Sequence, residues 1–229
     1  VDRPAAGRNT TAAPATEPAA SPIRIAVIEG FSGAFANAGA AVWRNLQFAA
    51  ARINARGGVR VGPRRHPLHL QAFDSKGQTE EALTQLQKAS DQSIPFIMQG
   101  NSSAVAAALI DAIDRHNARS PDRAMLFFNY AAVDPALTNE RCSFWHFRFD
   151  ADARMRMSAL IDALAQNPRI RRVYLLNQDY SFGRQVAALA TDMLARKRPD
   201  VTIVADELHA MGRIKDFAPY AAKIRASGA

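Results

Sequence analysis

Cysteine is almost absent from this sequence: a single one, Cys142, stands among 229 residues. One cysteine cannot close an internal disulfide or build a metal site alone, and no histidine sits beside it in a persuasive context, so the redox compartment stays open. Long apolar runs are missing too. Arg, Asp or Gln interrupts every hydrophobic stretch short of the ~20 residues that a bilayer-spanning helix requires. The chain also lacks a G-x-G-x-x-G, a P-loop and any paired His or Cys at ligand spacing, so no cofactor is implied.

What is present is a basic, moderately apolar chain, with a formal net charge of +8 and 48% hydrophobic residues. The positive charge is scattered. Arg56, Arg60, Arg64 and Arg65 fall in one expected loop, Arg169, Arg171 and Arg172 precede a strand, and Arg196, Lys197 and Arg198 follow a helix. A nucleic-acid groove needs a stripe with interleaved aromatics, so this pattern reads as a solvated surface and no nucleic-acid partner is expected.

Val1 to Ser21 are rich in Ala, Pro and Thr, with no periodicity and few large apolar side chains. Such a segment cannot offset its own ordering entropy, so residues 1–21 are expected to be a disordered tether. It has neither the charged start nor the apolar core of a signal peptide. The preferred reading is a tether left behind a cleavage site, the alternative a cytosolic protein. The Asn9-Thr10-Thr11 sequon reads as chance in that setting.

From Ile23 two periodicities alternate. Ile23–Ile28 is a β-branched run, and Val42, Leu46, Ala49 and Ile53 then recur at helical spacing until Gly57-Gly58. Leu68, Leu70 and Ala72 alternate as a second strand before a helical stripe of Ala82, Leu83, Leu86 and Ala89. Pro95–Met98 leads a third strand, followed by Val105, Ala108, Leu109 and Ile113 on one helix face, and Ala124–Phe128 makes a fourth. After an aromatic bridge, Phe144–Phe149, the spacing predicts helices over 152–166, 182–196 and 217–225 and strands over 173–176 and 201–205. Repeated β-α alternation with short connections predicts an α/β fold, with parallel sheets flanked by helices.

Ligands of open parallel sheets bind beyond the carboxyl ends of the strands, so the turns that follow strands carry the candidates. Ser102 and Ser103 open the third helix. Their hydroxyls can cap its amides, and the same amides with the helix dipole favour a carboxylate; an ordinary serine cap with no ligand is the alternative. Phe31, Phe35, Tyr130, Tyr180 and Phe182 lie on turns, where packing and ligand contact are both open. Asp179 is placed either to pair with an ammonium group or to be a solvated loop carboxylate.

The turns and their order resemble a known family. Gly30-Phe31-Ser32-Gly33 with Ala36 and Gly39, then Ile53-Asn54-Ala55-Arg56-Gly57-Gly58-Val59, are similar to the opening of type I periplasmic solute-binding proteins of the branched-chain amino acid transport class. Asp74-Ser75-Lys76-Gly77 with Glu81-Ala82, Gly100–Ser103, Pro135-Ala136-Leu137-Thr138, Phe147-Arg148-Phe149, Asp179–Gly183 and Asp216-Phe217 continue the pattern to the end of the chain.

The resemblance implies two Rossmann-like lobes, here 22–145 and a partial lobe 146–229, which close on a small solute and deliver it to the membrane permease of an ABC transporter. It also implies a periplasmic location and no catalysis. On it, the solute's carboxylate meets Ser102 or Ser103 and the backbone of Ala131, Ala132 and Val133. Phe182 stands where the family usually has a closing tyrosine, and Ala38 where an aromatic is often found. Members of the family run on well past the length of this chain, through a stretch that completes both lobes and carries an acidic residue for an amino acid's ammonium group. The fold is therefore expected to be incomplete at the C-terminus.

Two rivals remain at this level. Gly100-Asn101-Ser102-Ser103-Ala104 is close to the nucleophile elbow of α/β hydrolases, with Asp179 and His209 as nominal acid and base, although Ala104 replaces the last glycine. A ligand-sensing domain without transport shares the fold.

Overall fold

The computed structural model describes residues 20–210 and 213–229. The expected tether lies outside the described residues, apart from its last two positions.

Strand β1 (Ile23–Glu29) is β-branched and apolar, and its last five residues are buried. Such a run fits the middle of a parallel sheet, where both faces are covered. It pairs in parallel with β4 (Leu68–Asp74) on one side and β5 (Phe96–Gln99) on the other. Beyond β5 lie β6 (Leu126–Asn129) and β7 (His146–Arg148), which completes a five-stranded sheet in the order β4-β1-β5-β6-β7.

The order reverses at β1. Helix α1 (Ala36–Ala55) carries the chain from β1 outward to β4, whereas α2 (Thr79–Asp91) and α3 (Ser103–Arg119) carry it the other way. Right-handed crossovers therefore put α1 on the face opposite α2 and α3. The crevice beyond β1 and β5 is the topological switch point, where ligands of such sheets bind.

Helices α2 and α3 bury their apolar stripes against the sheet. Ala82, Leu86 and Ala89 of α2 and Val105, Leu109 and Ile113 of α3 join Ile28, Phe73, Ile97 and Phe127 in one core. Glu80 and Glu81 in the first turn of α2 and Lys88 in its last suit the helix dipole.

A second core surrounds β8 (Arg172–Gln178) and β9 (Thr202–His209), a parallel pair in a sheet of their own. Met157 and Ile161 of α4 (Ala153–Ala165) meet Ala190, Met193 and Leu194 of α5 (Ser181–Lys197) there, with Val173, Leu175 and Ile203 from the strands. Helix α6 (Ala218–Ser227) closes the chain. Asp152 caps α4 by accepting from the Met155 amide at 2.8 Å.

Two elements differ from expectation. The arginine-bearing segment read as a loop is an antiparallel hairpin, β2 (Val59–Val61) and β3 (Arg64–His66). Gly62, at φ 58, supplies the left-handed turn between them. The aromatic bridge contains β7, which pairs with β6. The first sheet therefore extends to Arg148, past the expected lobe boundary at 145. Beyond it Arg148 pairs with Asp152 at 3.3 Å, with the two side chains only 8% and 6% exposed, and this buried ion pair spans the passage to α4.

Candidate functional site

Three strand ends meet at one buried carboxylate. Glu29, the last residue of β1, is 1% exposed and accepts from the Gly100 amide at 2.7 Å and the Asn101 amide at 2.9 Å. It also accepts from the Gly30 amide at 3.3 Å and from the Tyr130 hydroxyl. Burial pushes the Glu29 carboxyl above its ordinary value, against the lowering effect of those bonds. Burial and the charge of Glu29 likewise raise the Tyr130 hydroxyl far above its usual range, so it remains a donor.

Gly100 is what lets the Tyr130 ring lie there. A β-carbon at that position would sit 2.5 Å from Tyr130 Cε2 and 2.8 Å from the Ala131 nitrogen. The turns after β1, β5 and β6 are thus locked together, which fixes the start of α3.

Ser102 is the N-cap of α3, with its hydroxyl accepting from the Val105 amide at 3.3 Å. Ser103 is the first helical residue, its hydroxyl accepts from the Asp134 amide at 3.4 Å, and it faces a cavity. Among the described residues the Ser103 and Ala104 amides have no protein acceptor, as expected for the first turn of a helix.

That cavity holds about 190 Å³ and is lined by Gly100, Asn101, Ser103, Ala131, Ala132, Val133, Arg156, Tyr180 and Phe182. The ~300–1,000 Å³ typical of sites for drug-sized ligands is larger, so a small solute fits it. Its walls come from the turns after β5 and β6 on one side and from the starts of α4 and α5 on the other. Tyr180 and Phe182 lie with ring centroids 5.9 Å apart. Burial raises the Tyr180 hydroxyl, which keeps it protonated. Across the two sheets Gln185 of α5 donates to Asp134 at 2.8 Å.

The structure thus gathers six of the nine residues read from the sequence around one space: Ser103, Ala131, Ala132, Val133, Tyr180 and Phe182. Ser102 lies behind them as the cap. The Ala131 and Ala132 amides are directed elsewhere, to Asn129 Oδ1 at 3.2 and 2.7 Å, while the Val133 amide has no protein acceptor among the described residues.

Phe35 and Asp179 are not on the wall. Phe35 lies over Gly77, where an added β-carbon would be 2.4 Å from its ring, so it packs the turns after β1 and β4. Asp179 is taken by Arg184. Asp74 ties the turn after β1 in the same way, accepting from Phe31, Ser32 and Lys76.

Three wall residues, Gly100, Asn101 and Arg156, were not among the nine read from the sequence. Arg156 lies in the first turn of α4 and pairs with Asp150. Asn101 carries an enclosed Nδ2 with no hydrogen-bond partner. Gly100 and Asn101 directly follow β5, which is the signal that could have found them, whereas Arg156 carries no such mark.

The elbow reading of Ser102 fails on geometry. Its hydroxyl caps α3 and no histidine among the described residues bonds to it, while His209 packs on Phe217 at 5.1 Å and Asp179 is held by Arg184. A serine nucleophile needs an adjacent base.

Residues 22–229 match the family model described as periplasmic binding protein. The chain belongs to this family. Its fold is that of the type I periplasmic binding proteins, α/β with a parallel central sheet flanked by helices. A Leu/Ile/Val-binding protein homolog 4 of Brucella abortus is 30% identical over 209 residues, which cover 91% of this chain and 49% of that protein. The chain therefore spans about half the length of the curated relatives it matches. A leucine-, isoleucine-, valine-, threonine- and alanine-binding protein from Brucella ovis, in a closed conformation, aligns with a TM-score of 0.75 at 29% identity, covering 91% of this chain and 52% of that one. An ABC transporter substrate-binding protein from Sphaerobacter thermophilus aligns at 0.68 with 25% identity over 90% of this chain and 52% of that one. As a periplasmic binding protein the chain belongs to a family of binders and not of enzymes, and none of its described helices is long and apolar enough to cross a membrane.

Proposed function

We propose that this chain is solute-binding sequence of an ABC-type importer, acting in the periplasm and delivering a small carboxylate-bearing solute to a membrane permease. The observation that carries the reading is the cavity itself. The first turn of α3, with Ser103 and unpaired amides, shares it with Tyr180 and Phe182 of the facing helix. Helix N-termini favour anions because their free amides and the dipole act together. On this reading the carboxylate docks first on Ser103, the Ser103 and Ala104 amides and the Val133 amide. Tyr180 and Phe182 then cover it as the two sheets approach, with Gln185 and Asp134 joined across the gap. The names of the Brucella relatives, which specify leucine, isoleucine and valine and in one case also threonine and alanine, support a solute of that size.

Ser103 and Ser102 have separable roles on this account. Ser103→Ala weakens a carboxylate solute by about 1–3 kcal/mol, the usual cost of losing a hydrogen bond to a charged group. Ser102→Ala lowers stability by about 1 kcal/mol, as loss of an N-cap does, and changes affinity less. Calorimetric titration of both variants checks this; full affinity in Ser103→Ala contradicts it.

A further inference from the structure

Behind the wall of the cavity sits a buried acid. Gly100 and Asn101 line the cavity on one side, and on the other their amides donate to the Glu29 carboxylate at 2.7 and 2.9 Å. The next two residues, Ser102 and Ser103, begin α3. The approach to this helix N-terminus therefore already holds one resident carboxylate, on the side away from the cavity. The described residues by themselves enclose it, leaving Glu29 1% exposed.

Among the described residues, two titratable groups adjoin Glu29. Tyr130, from the turn after β6, donates its hydroxyl to Glu29 and stays protonated. Asp74 ends β4 in register with Glu29. Burial raises the Asp74 carboxyl, but the Ser32, Lys76 and Phe31 donors bring it below its ordinary value, so it stays ionised. Across the cavity Arg156 is paired with Asp150. Burial lifts Glu29 itself above its ordinary value, which makes it the group of this set poised to take up a proton.

A solute carboxylate docked on Ser103 and the first-turn amides of α3 brings a second negative charge to the front of the same turn. The Gly100-Asn101 turn then separates the two charges by less than the ~8–10 Å over which even exposed charges interact at physiological salt, and buried ones are screened less. Like charges so placed disfavour joint ionisation, and the buried partner takes up a proton. An ammonium group on the same solute offsets this only in part, because the carboxylate is the end that meets the turn.

We propose, on the carboxylate-binding reading above, that solute binding is coupled to proton uptake by Glu29, so that this buried acid makes the site sensitive to pH. Glu29 acts through the turn and touches no solute. The bound state holds the extra proton, so affinity is highest at pH below the Glu29 transition. It falls as pH rises through that transition, by up to about tenfold per pH unit, the limit for one proton.

Calorimetric titration of the full chain with L-leucine, L-valine and L-alanine, from mildly acid to neutral pH and in buffers of different ionisation enthalpy, tests the coupling. For whichever of these binds wild type, the heat varies with the buffer in the sense of proton uptake, and affinity falls as pH rises. Glu29→Gln, which mimics the protonated acid, binds the same solute with that uptake gone and the pH profile flat. Tyr130→Phe removes a donor that favours the charged carboxylate and moves the wild-type profile to higher pH, a shift that a purely structural role for Glu29 does not produce. A solute bound by wild type without proton uptake, or with equal uptake in Glu29→Gln, overturns the inference and leaves the binding-protein reading standing. Binding of none of the three by a chain that melts cooperatively counts against that reading and against the coupling with it.

Discussion

Glu29→Ala lowers the folding stability of the chain by about 3–5 kcal/mol, because one side chain serves four donors. The Gly100 and Asn101 amides, the Gly30 amide and the Tyr130 hydroxyl all point at a carboxylate that is 1% exposed. A buried donor left without an acceptor costs about 1–3 kcal/mol, and water entering the small void recovers part of the sum. Solute binding falls with it, since the Gly100-Asn101 turn that leads into α3 loses its anchor. Glu29→Gln keeps an acceptor for the two closest amides and costs less.

The two variants also differ in pH dependence. Burial raises the folded-state value of Glu29 above that of the unfolded chain. Its contribution is fully present below the unfolded value of about 4.3 and is lost as pH rises through the raised folded value. Glutamine does not titrate, so the stability of Glu29→Gln relative to wild type improves as pH rises through that window. Urea denaturation of the three proteins across mildly acid to neutral pH measures both effects. A wild-type advantage that grows with pH would show that Glu29 is better accommodated charged than neutral.

Arg148→Ala is expected to cost about 3–5 kcal/mol, the usual penalty for removing one partner of a buried ion pair. Arg148 donates to Asp152 at 3.3 Å and to the Asp134 carbonyl at 3.0 Å, and both charged side chains are more than nine-tenths buried. Without it the Asp152 carboxylate stays enclosed with the Met155 amide as its remaining bond. Asp152→Asn keeps the helix cap and removes the charge, so it costs less, and in the Arg148→Ala background it restores stability. A double-mutant cycle by chemical denaturation reads the coupling directly. The passage between the sheets also passes through Phe149, whose amide donates to the Asn129 carbonyl at 3.0 Å. Loosening Arg148 therefore weakens solute binding as well as folding.

The parts of the fold that could be read from the sequence are those whose packing is periodic. The apolar Ile23–Ile28 run, broken only by Arg24 near its start, had to be a covered strand, and the stripe from Val105 to Ile113 had to face a core. Hairpin β2–β3 could not be read that way, because strands of three residues with mostly exposed, charged side chains have no apolar face to betray them. Strand β7 is defined by its partner β6, and its own residues, His146 to Arg148, carry no alternation of length enough to register.

The candidate site divides along the same line. Ser103, Tyr180 and Phe182 were legible because they follow strand ends, where chain topology alone puts the crevice. Arg156 was not, since nothing in the sequence separates it from Arg154 two positions earlier on the same helix. Glu29 was not legible either, because an acid that ends a strand looks the same whether solvated or enclosed by three turns. Phe35 and Asp179 were nominated by their turns, and their partners, Gly77 forty-two residues away and Arg184 five residues on, decided otherwise.

The central claim is that the space between the two sheets holds a small carboxylate-bearing solute, and a thermal-shift titration of the chain tests it most directly. A solute present at ~100 times its dissociation constant adds roughly 2.7 kcal/mol to the folded state. The account predicts a saturable rise in melting temperature with one class of carboxylate solute, diminished in Ser103→Ala. A cooperative melt that no carboxylate solute moves, at any concentration up to solubility, would contradict it.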